Sequence, residues 1–246
     1  MLKKVLKVTA IVVCSLLLVA GGIFGWLYSQ MSQLKPIETA KISDSIFVIK
    51  SSYSNIFLVK KNNVYVAFDA GVDAKSVAEG CKALSIDPAA VRAVFLTHSD
   101  ADHVDGLPAF TSAKVYLSSE EVPLLKEKKY RHFLWMENMN KLSVADYKTL
   151  KDGDSVTVGG ITVQAIATPG HTLGSMSYRV GKSLFTGDLC IIKDGKIEKM
   201  LKIFTEDLAM DGESIRKIAK LKSIDRIYTA HSGYTTDLDK ALAKWR

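Results

Sequence analysis

Cysteine is scarce and irregularly placed in this chain. Cys14, Cys81 and Cys190 share no spacing that would build a disulfide framework. Repeats of about 20 to 50 residues and low-complexity tracts are both missing, so solenoid and disordered architectures are set aside. Acidic residues are absent from positions 1–35, where Lys3, Lys4, Lys7 and Lys35 are the only charges. That segment accounts for much of the formal net charge of +7, because the remainder carries 29 basic against 26 acidic groups. So small an excess does not by itself indicate a nucleic-acid partner. Histidine is scarce too, with five in 246 residues, which makes their placement informative.

What the N-terminus does have is a long uncharged run. Val8 to Tyr28 is 21 residues without a charge, enough for a helix of about 30 Å, one bilayer core. The preceding lysines keep the N-terminus cytoplasmic and send the rest of the chain across the membrane. Trp26 and Tyr28 fall where interfacial aromatics anchor a span. The run is longer than the apolar stretch of a secretory signal and lacks an Ala-x-Ala exit, which favours a retained anchor over a cleaved signal peptide and a secreted domain. The expected organisation is an anchor at 1–29, a polar tether at 30–42 and one catalytic domain at 43–246, long enough for a single substantial core.

Residues 97–106 read Thr-His-Ser-Asp-Ala-Asp-His-Val-Asp-Gly and follow the apolar run Val91–Leu96. His98, Asp100, Asp102 and His103 crowd the end of a strand, where carboxylates and imidazoles repel one another and lose hydration unless a cation neutralises them. Three more strand-like runs end in similar groups: Thr168-Pro169-Gly170-His171-Thr172, Thr186-Gly187-Asp188, and Tyr228-Thr229-Ala230-His231-Ser232-Gly233. Strands supply rigidity and the loops at their ends supply ligands, so four such ends point to one metal site at a sheet edge. Cys190, two residues past Asp188, reads as a packed strand-end residue in preference to a ligand.

An H-x-x-x-D-H motif, a P-G-H-T turn, a T-G-D and a late histidine, in this order, resemble the metallo-β-lactamase-fold hydrolases, especially the glyoxalase II and lactonase-like branch. The resemblance covers about residues 43–246, and Phe68-Asp69-Ala70-Gly71 matches the family's early Asp-x-Gly strand end. It implies one metal bound by His98, Asp100 and His171, and a second bound by Asp102, His103 and His231, with Asp188 bridging. It also implies that Asp69 and Thr97 orient ligands, and that Asp102 doubles as the catalytic carboxylate. The implied cofactor is a pair of divalent ions, zinc foremost, which lower the pKa of a shared water towards about 7 so that hydroxide can attack an ester, lactone, thioester, amide or phosphodiester. The chain departs from the family's H-x-H-x-D-H at Asp100. A carboxylate there makes the first site harder and more negative and shifts preference towards iron or manganese. If Asp100 does not bind, that site is weak or empty.

The remaining pattern is of class α/β. Strands are expected at 45–50, 55–60, 64–69, 91–97, 114–117, 155–158, 161–168, 176–180, 183–186 and 226–230, and helices at 73–84, 102–110, 119–126, 212–222 and 238–245. Two sheets face to face with helices outside accommodate this order, and the resemblance implies the same αββα four-layer sandwich. The stretch Lys126–Ala145 has little regular pattern and carries Tyr130, Arg131, His132, Phe133, Trp135 and Met136, as a substrate-facing lid or a surface loop. A small-molecule substrate and, through residues 8–28, a lipid bilayer are the expected partners. Rival readings are an extracytoplasmic nuclease or phosphodiesterase, a diiron redox protein, and a metal-stabilised module without turnover. Naming a substrate would be analogy.

Overall fold

The computed structural model describes residues 2–126, 130–133 and 136–246, with the backbone alone at 2, 3, 5, 8, 10, 130–133 and 136–139. Two compact units result, residues 1–34 and 35–246. The first is the helix α1 (Leu2–Met31), of which Ile11–Met31 is long and apolar enough to cross a bilayer, as a retained span or a signal sequence would be. The helix runs past the expected end at Tyr28 because Ser29, Gln30 and Met31 contain no breaker.

Residues 35–42, read above as tether, run along the second unit. Asn55 bonds both backbone groups of Ile37, and β1 (Ala40–Lys41) pairs with β2 (Ile46–Ser51). From there β3 (Ser54–Lys61) and β4 (Val64–Phe68) continue an antiparallel meander, while β5 (Val91–Phe95) and β6 (Lys114–Ser118) add in parallel. Strands β7 (Tyr130–Phe133) and β8 (Met136–Met139) form a separate hairpin where no regular pattern was expected. The side chains proposed for a lid, Tyr130 to Met136, lie outside the described residues. Strand β9 (Lys148–Leu150) closes the first sheet. The second sheet takes β10 (Ser155–Val158), β11 (Ile161–Ala167), β12 (Met176–Val180) and β13 (Ser183–Phe185). A side hairpin of β14 (Cys190–Lys193) and β15 (Lys196–Lys199) follows, then β16 (Arg226–Thr229) and β17 (Gly233–Thr235) complete that sheet.

Strand alternation sorts the side chains into layers. Ile46, Val48, Phe57, Val59, Val66 and Phe68 point from the first sheet to Ile161, Val163, Met176, Tyr178, Phe185 and Tyr228 of the second. Aromatic rings fill the gap, with Phe68 and Phe185 stacked at 3.9 Å between centroids. The opposite face of the first sheet, including Phe47, Ile49 and Leu58, packs on Val77 and Cys81 of α2 (Ala74–Ala83) and Val104 of α3 (Ala101–Val104). Helix α4 (Val122–Lys126) follows β6. The outer face of the second sheet packs on Ile215 and Ile218 of α5 (Leu208–Ala219), Leu242 of α6 (Leu238–Leu242), and Trp245. The result is the four-layer αββα sandwich.

Four helices differ from expectation: α6 ends at Leu242 and not at 245, a 3-10 turn over Ser119–Glu121 opens the stretch 119–126, and two more differ for reasons the packing shows. The stretch 102–110 is not one helix: α3 stops at Val104 and a 3-10 turn covers Leu107–Ala109, because Gly106 sits against the Ala70 carbonyl, where a Cβ would approach to 1.9 Å. Helix α5 begins four residues before expected, since Asp207 caps it by accepting the Ala209 and Met210 N–H groups.

Candidate metal centre

Five strands deliver their C-terminal ends to one edge of the sandwich. Strand β4 delivers Asp69; β5 delivers Thr97, His98 and Asp100 and, through α3, Asp102 and His103. Strand β11 leads to His171, β13 to Asp188 and β16 to His231. All seven side chains singled out as ligands converge there, and three overlapping groups of three have ligand atoms within 4.8 Å of one another. These are His98, Asp100 and His171; Asp102, His103 and His231; and His98, His103 and Asp188.

Around the first group, His98 Nε2 lies 3.1 Å from His171 Nε2, and Asp100 Oδ2 lies 3.2 Å from His171 Nε2 and 3.4 Å from His98 Nε2. Around the second, Asp102 Oδ2 lies 3.3 Å from His103 Nε2 and 3.4 Å from His231 Nε2. Asp188 stands between the two. Its Oδ2 is 3.1 Å from His231 Nε2 and 3.6 Å from His171 Nε2, and its Oδ1 is 3.3 Å from His103 Nε2 and 3.1 Å from His231 Nε2.

The imidazoles are turned by fixed partners. Asp69 Oδ2 is 2.9 Å from His103 Nδ1, and a carboxylate can only accept there, so Nδ1 carries the hydrogen and Nε2 faces the cluster. The Tyr53 carbonyl does the same to His231 Nδ1 at 2.6 Å. The Thr97 hydroxyl donates to Asp69 and so receives His98 Nδ1–H at 3.0 Å. Asp69 itself takes a left-handed backbone, φ 64°, which lets its carboxylate also accept the Thr97 N–H at 2.7 Å.

This donor set fits divalent cations. Donor separations of 3.1 to 3.4 Å match the edge of about 3.3 Å that Zn–N and Zn–O bonds give in four-coordinate geometry. His103 Nε2 and Asp188 Oδ1 are buried, 3.3 Å apart, and without a hydrogen-bond partner among the described residues, an arrangement costly without a shared cation. The protonation pattern agrees. Burial pulls the imidazoles of His103 and His231 down, but neighbouring carboxylates win: Asp102, Asp188 and Asp69 raise His103 well above its ordinary range, and Asp188 and Asp102 bring His231 to about 9. Burial likewise pushes Asp188 up, and His231, His103 and His171 overcome it and hold the carboxyl well below the usual range. A proton on Nε2 substitutes for positive charge that a metal would supply.

Asp100 and Asp102 are the open side of the cluster, with side chains 24% and 16% exposed, and Tyr53, 46% exposed, stacks over His231 at 6.1 Å. Several contributors escaped sequence reasoning. Tyr53 acts through a backbone carbonyl, which any residue provides. Glu121 is fully buried and accepts from Ser99 and Thr172, tying the two loops of the first group together. Asn140 donates to Ser99 and Asp100 from a stretch without periodic signal. Cys190 packs in the outer core, its thiol pushed up to about 12 by burial.

The family model of the metallo-beta-lactamase superfamily matches residues 50–231. The chain is 27% identical over 196 residues to a probable polyketide biosynthesis zinc-dependent hydrolase of Bacillus velezensis, covering 74% of this chain and 73% of that one. It is 31% identical over 177 residues to a hydroxyacylglutathione hydrolase of Bdellovibrio bacteriovorus, covering 71% of this chain and 61% of the relative's length. Among solved structures, a subclass B3 metallo-beta-lactamase of Bradyrhizobium japonicum superposes with a TM-score of 0.64 at 20% identity, over 81% of this chain and 79% of that one. The chain belongs to the metallo-beta-lactamase superfamily, and within it to the metal-dependent hydrolases.

Proposed function

We propose that the protein is a membrane-anchored hydrolase that holds two divalent cations, zinc foremost, and cleaves an ester, lactone, thioester, amide or phosphodiester bond of a small molecule. The observation that carries the reading is Asp188, a single carboxylate within 3.6 Å of His171 in the first set and within 3.3 Å of His103 and His231 in the second. One cation would be held by His98, Asp100 and His171, the other by Asp102, His103 and His231, with Asp188 available to both. Cations held there supply Lewis acidity and a nucleophile at neutral pH.

The chain's own residues do the rest. Asp69, Thr97 and the Tyr53 carbonyl keep three Nε2 lone pairs turned inward, a role that sustains metal affinity. Asp102, on the open side, orients the attacking water and takes its proton at a carboxylate oxygen. Asp100 brings a harder donor than imidazole, which keeps iron and manganese in contention. Lys3, Lys4 and Lys7 ahead of the apolar helix put the N-terminus in the cytoplasm and the catalytic unit on the outer face.

The test is metal analysis of the full chain purified in detergent, together with a panel of nitrocefin, a lactone, a thioester and bis-p-nitrophenyl phosphate. Two equivalents of zinc and turnover of one acyl substrate are expected, with Asp102→Ala lowering the rate at least about a hundredfold while the fold persists. Full activity in Asp102→Ala, or a protein that takes up no metal, overturns the reading. Turnover of the phosphodiester alone would favour the nuclease. In cell fractions the protein should stay with the membrane after alkaline carbonate washing; release into the supernatant would refute the anchor.

A further inference from the structure

Asp100 is gripped from the side opposite the imidazoles. Asn140 is 5% exposed, and its amide nitrogen lies 2.9 Å from Asp100 Oδ1 and 2.8 Å from Ser99 Oγ. Both amide hydrogens are thereby used. The flipped amide would set an oxygen against the Asp100 carboxylate, so repulsion fixes this orientation. Ser99 Oγ passes its own hydrogen to Glu121 Oε1 at 2.7 Å, and the Ser99 N–H reaches the same oxygen at 2.9 Å. Glu121 is fully buried, and its other oxygen accepts the Thr172 hydroxyl at 2.7 Å, one residue from His171. Donation therefore runs in one direction, from Asn140 through Ser99 to a buried carboxylate.

The consequence lies in which oxygen of Asp100 faces the imidazoles. Asn140 holds Oδ1, and Oδ2 is the oxygen 3.4 Å from His98 Nε2 and 3.2 Å from His171 Nε2. A carboxylate has two equivalent oxygens and, unlike an imidazole, can rotate to present either or both. A donor on one of them selects a single-oxygen presentation. We propose that Asn140 is the positioning residue of the first cation subsite, fixing Asp100 as a one-oxygen ligand, with Glu121 and Ser99 as its footing. This rests on the reading of His98, Asp100 and His171 as a cation-binding set.

The experiment titrates zinc into the metal-free full chain in detergent, in competition with a chromophoric chelator. The parent should bind two equivalents. Asn140→Leu, close in size but without a donor, should weaken one of the two affinities roughly 10- to 100-fold and leave the other unchanged. In an Asp100→Ala background, which leaves Asn140 no oxygen to hold, the same substitution should cost nothing further, because the two residues act as one unit. If Asn140→Leu does not fold, Asn140→Asp keeps the shape, replaces the donor with an acceptor, and should weaken the same single site. Unchanged affinities in the variant overturn the inference and leave the two-cation reading standing. So does equal weakening of both sites, or full cost of Asn140→Leu in the Asp100→Ala background. A parent that binds fewer than two equivalents overturns the two-cation reading itself, and this inference with it.

Discussion

Asp211 shows how a single buried carboxyl reports on this protein's interior. It lies in α5, fully buried, with both carboxyl oxygens lacking a hydrogen-bond partner among the described residues. Burial pushes it up to about 8; Lys199 draws it down and Asp188 adds to the rise. In the metal-free folded protein the group is protonated over a range where the unfolded chain, with an ordinary carboxyl near 3.9, has released its proton. The folded state binds more protons there, so stability falls as pH rises from about 4 to about 8 and then levels. Asp211→Asn removes that loss. Chemical denaturation of the metal-free proteins should show the variant's advantage widening between pH 4 and 8; a gap independent of pH would show that Asp211 ionises freely. The site residues differ from Asp211 in having partners. His98, His103, His171, His231, Asp100, Asp102 and Asp188 were legible because imidazole and carboxylate at a strand end have few structural reasons to coincide. Glu121 and Asn140 were not, because one acid and one amide in a loop carry no pattern.

At the scale of elements, the strand ends do the positioning. Thr186-Gly187-Asp188 needs its glycine: φ is +55°, and a Cβ there would stand 2.3 Å from Thr97 Oγ1, the atom that orients His98. Gly187→Ala should cost roughly 1–3 kcal/mol in stability from the left-handed backbone and the overpacking. The same variant should lower metal affinity by displacing Thr97; denaturation and zinc titration together check this, and a neutral substitution on both would sink it. Strands of alternating or fully apolar pattern, such as Ser155–Val158 and Met176–Val180, coincide with expectation to the residue. The hairpin Cys190–Lys199 was missed although Asp194-Gly195 turns it, both at positive φ, a strong local turn signal. Its strands are four residues each, too short for periodicity to register. Strands β1, β9 and β17, two or three residues long, are defined only by the neighbours they pair with.

For the whole molecule, the candidate metal centre gathers like charges at one edge. Asp69, Asp100, Asp102 and Asp188 come from three separate loops, and without cations protonated imidazoles and the hydrogen bonds from Thr97 and Asn140 offset their repulsion. Chelation should therefore lower the thermal midpoint of the 35–246 unit. A cation present at a thousand times its dissociation constant contributes about 4.1 kcal/mol. Calorimetry with and without chelator reads the shift, and an unchanged midpoint would mean the centre is not linked to folding.

The chain's linear order alone determined the class α/β, the apolar helix and the set of residues able to bind metal, because periodicity and residue chemistry are local properties. Tertiary structure decided what those residues do to one another. The inward turn of His103, His231 and His98 depends on partners 34, 178 and 1 positions away, and the hold on Asp100 Oδ1 comes from one 40 away. Hydrogen bonds act over about 3 Å of space, and only folding makes that distance independent of separation along the chain.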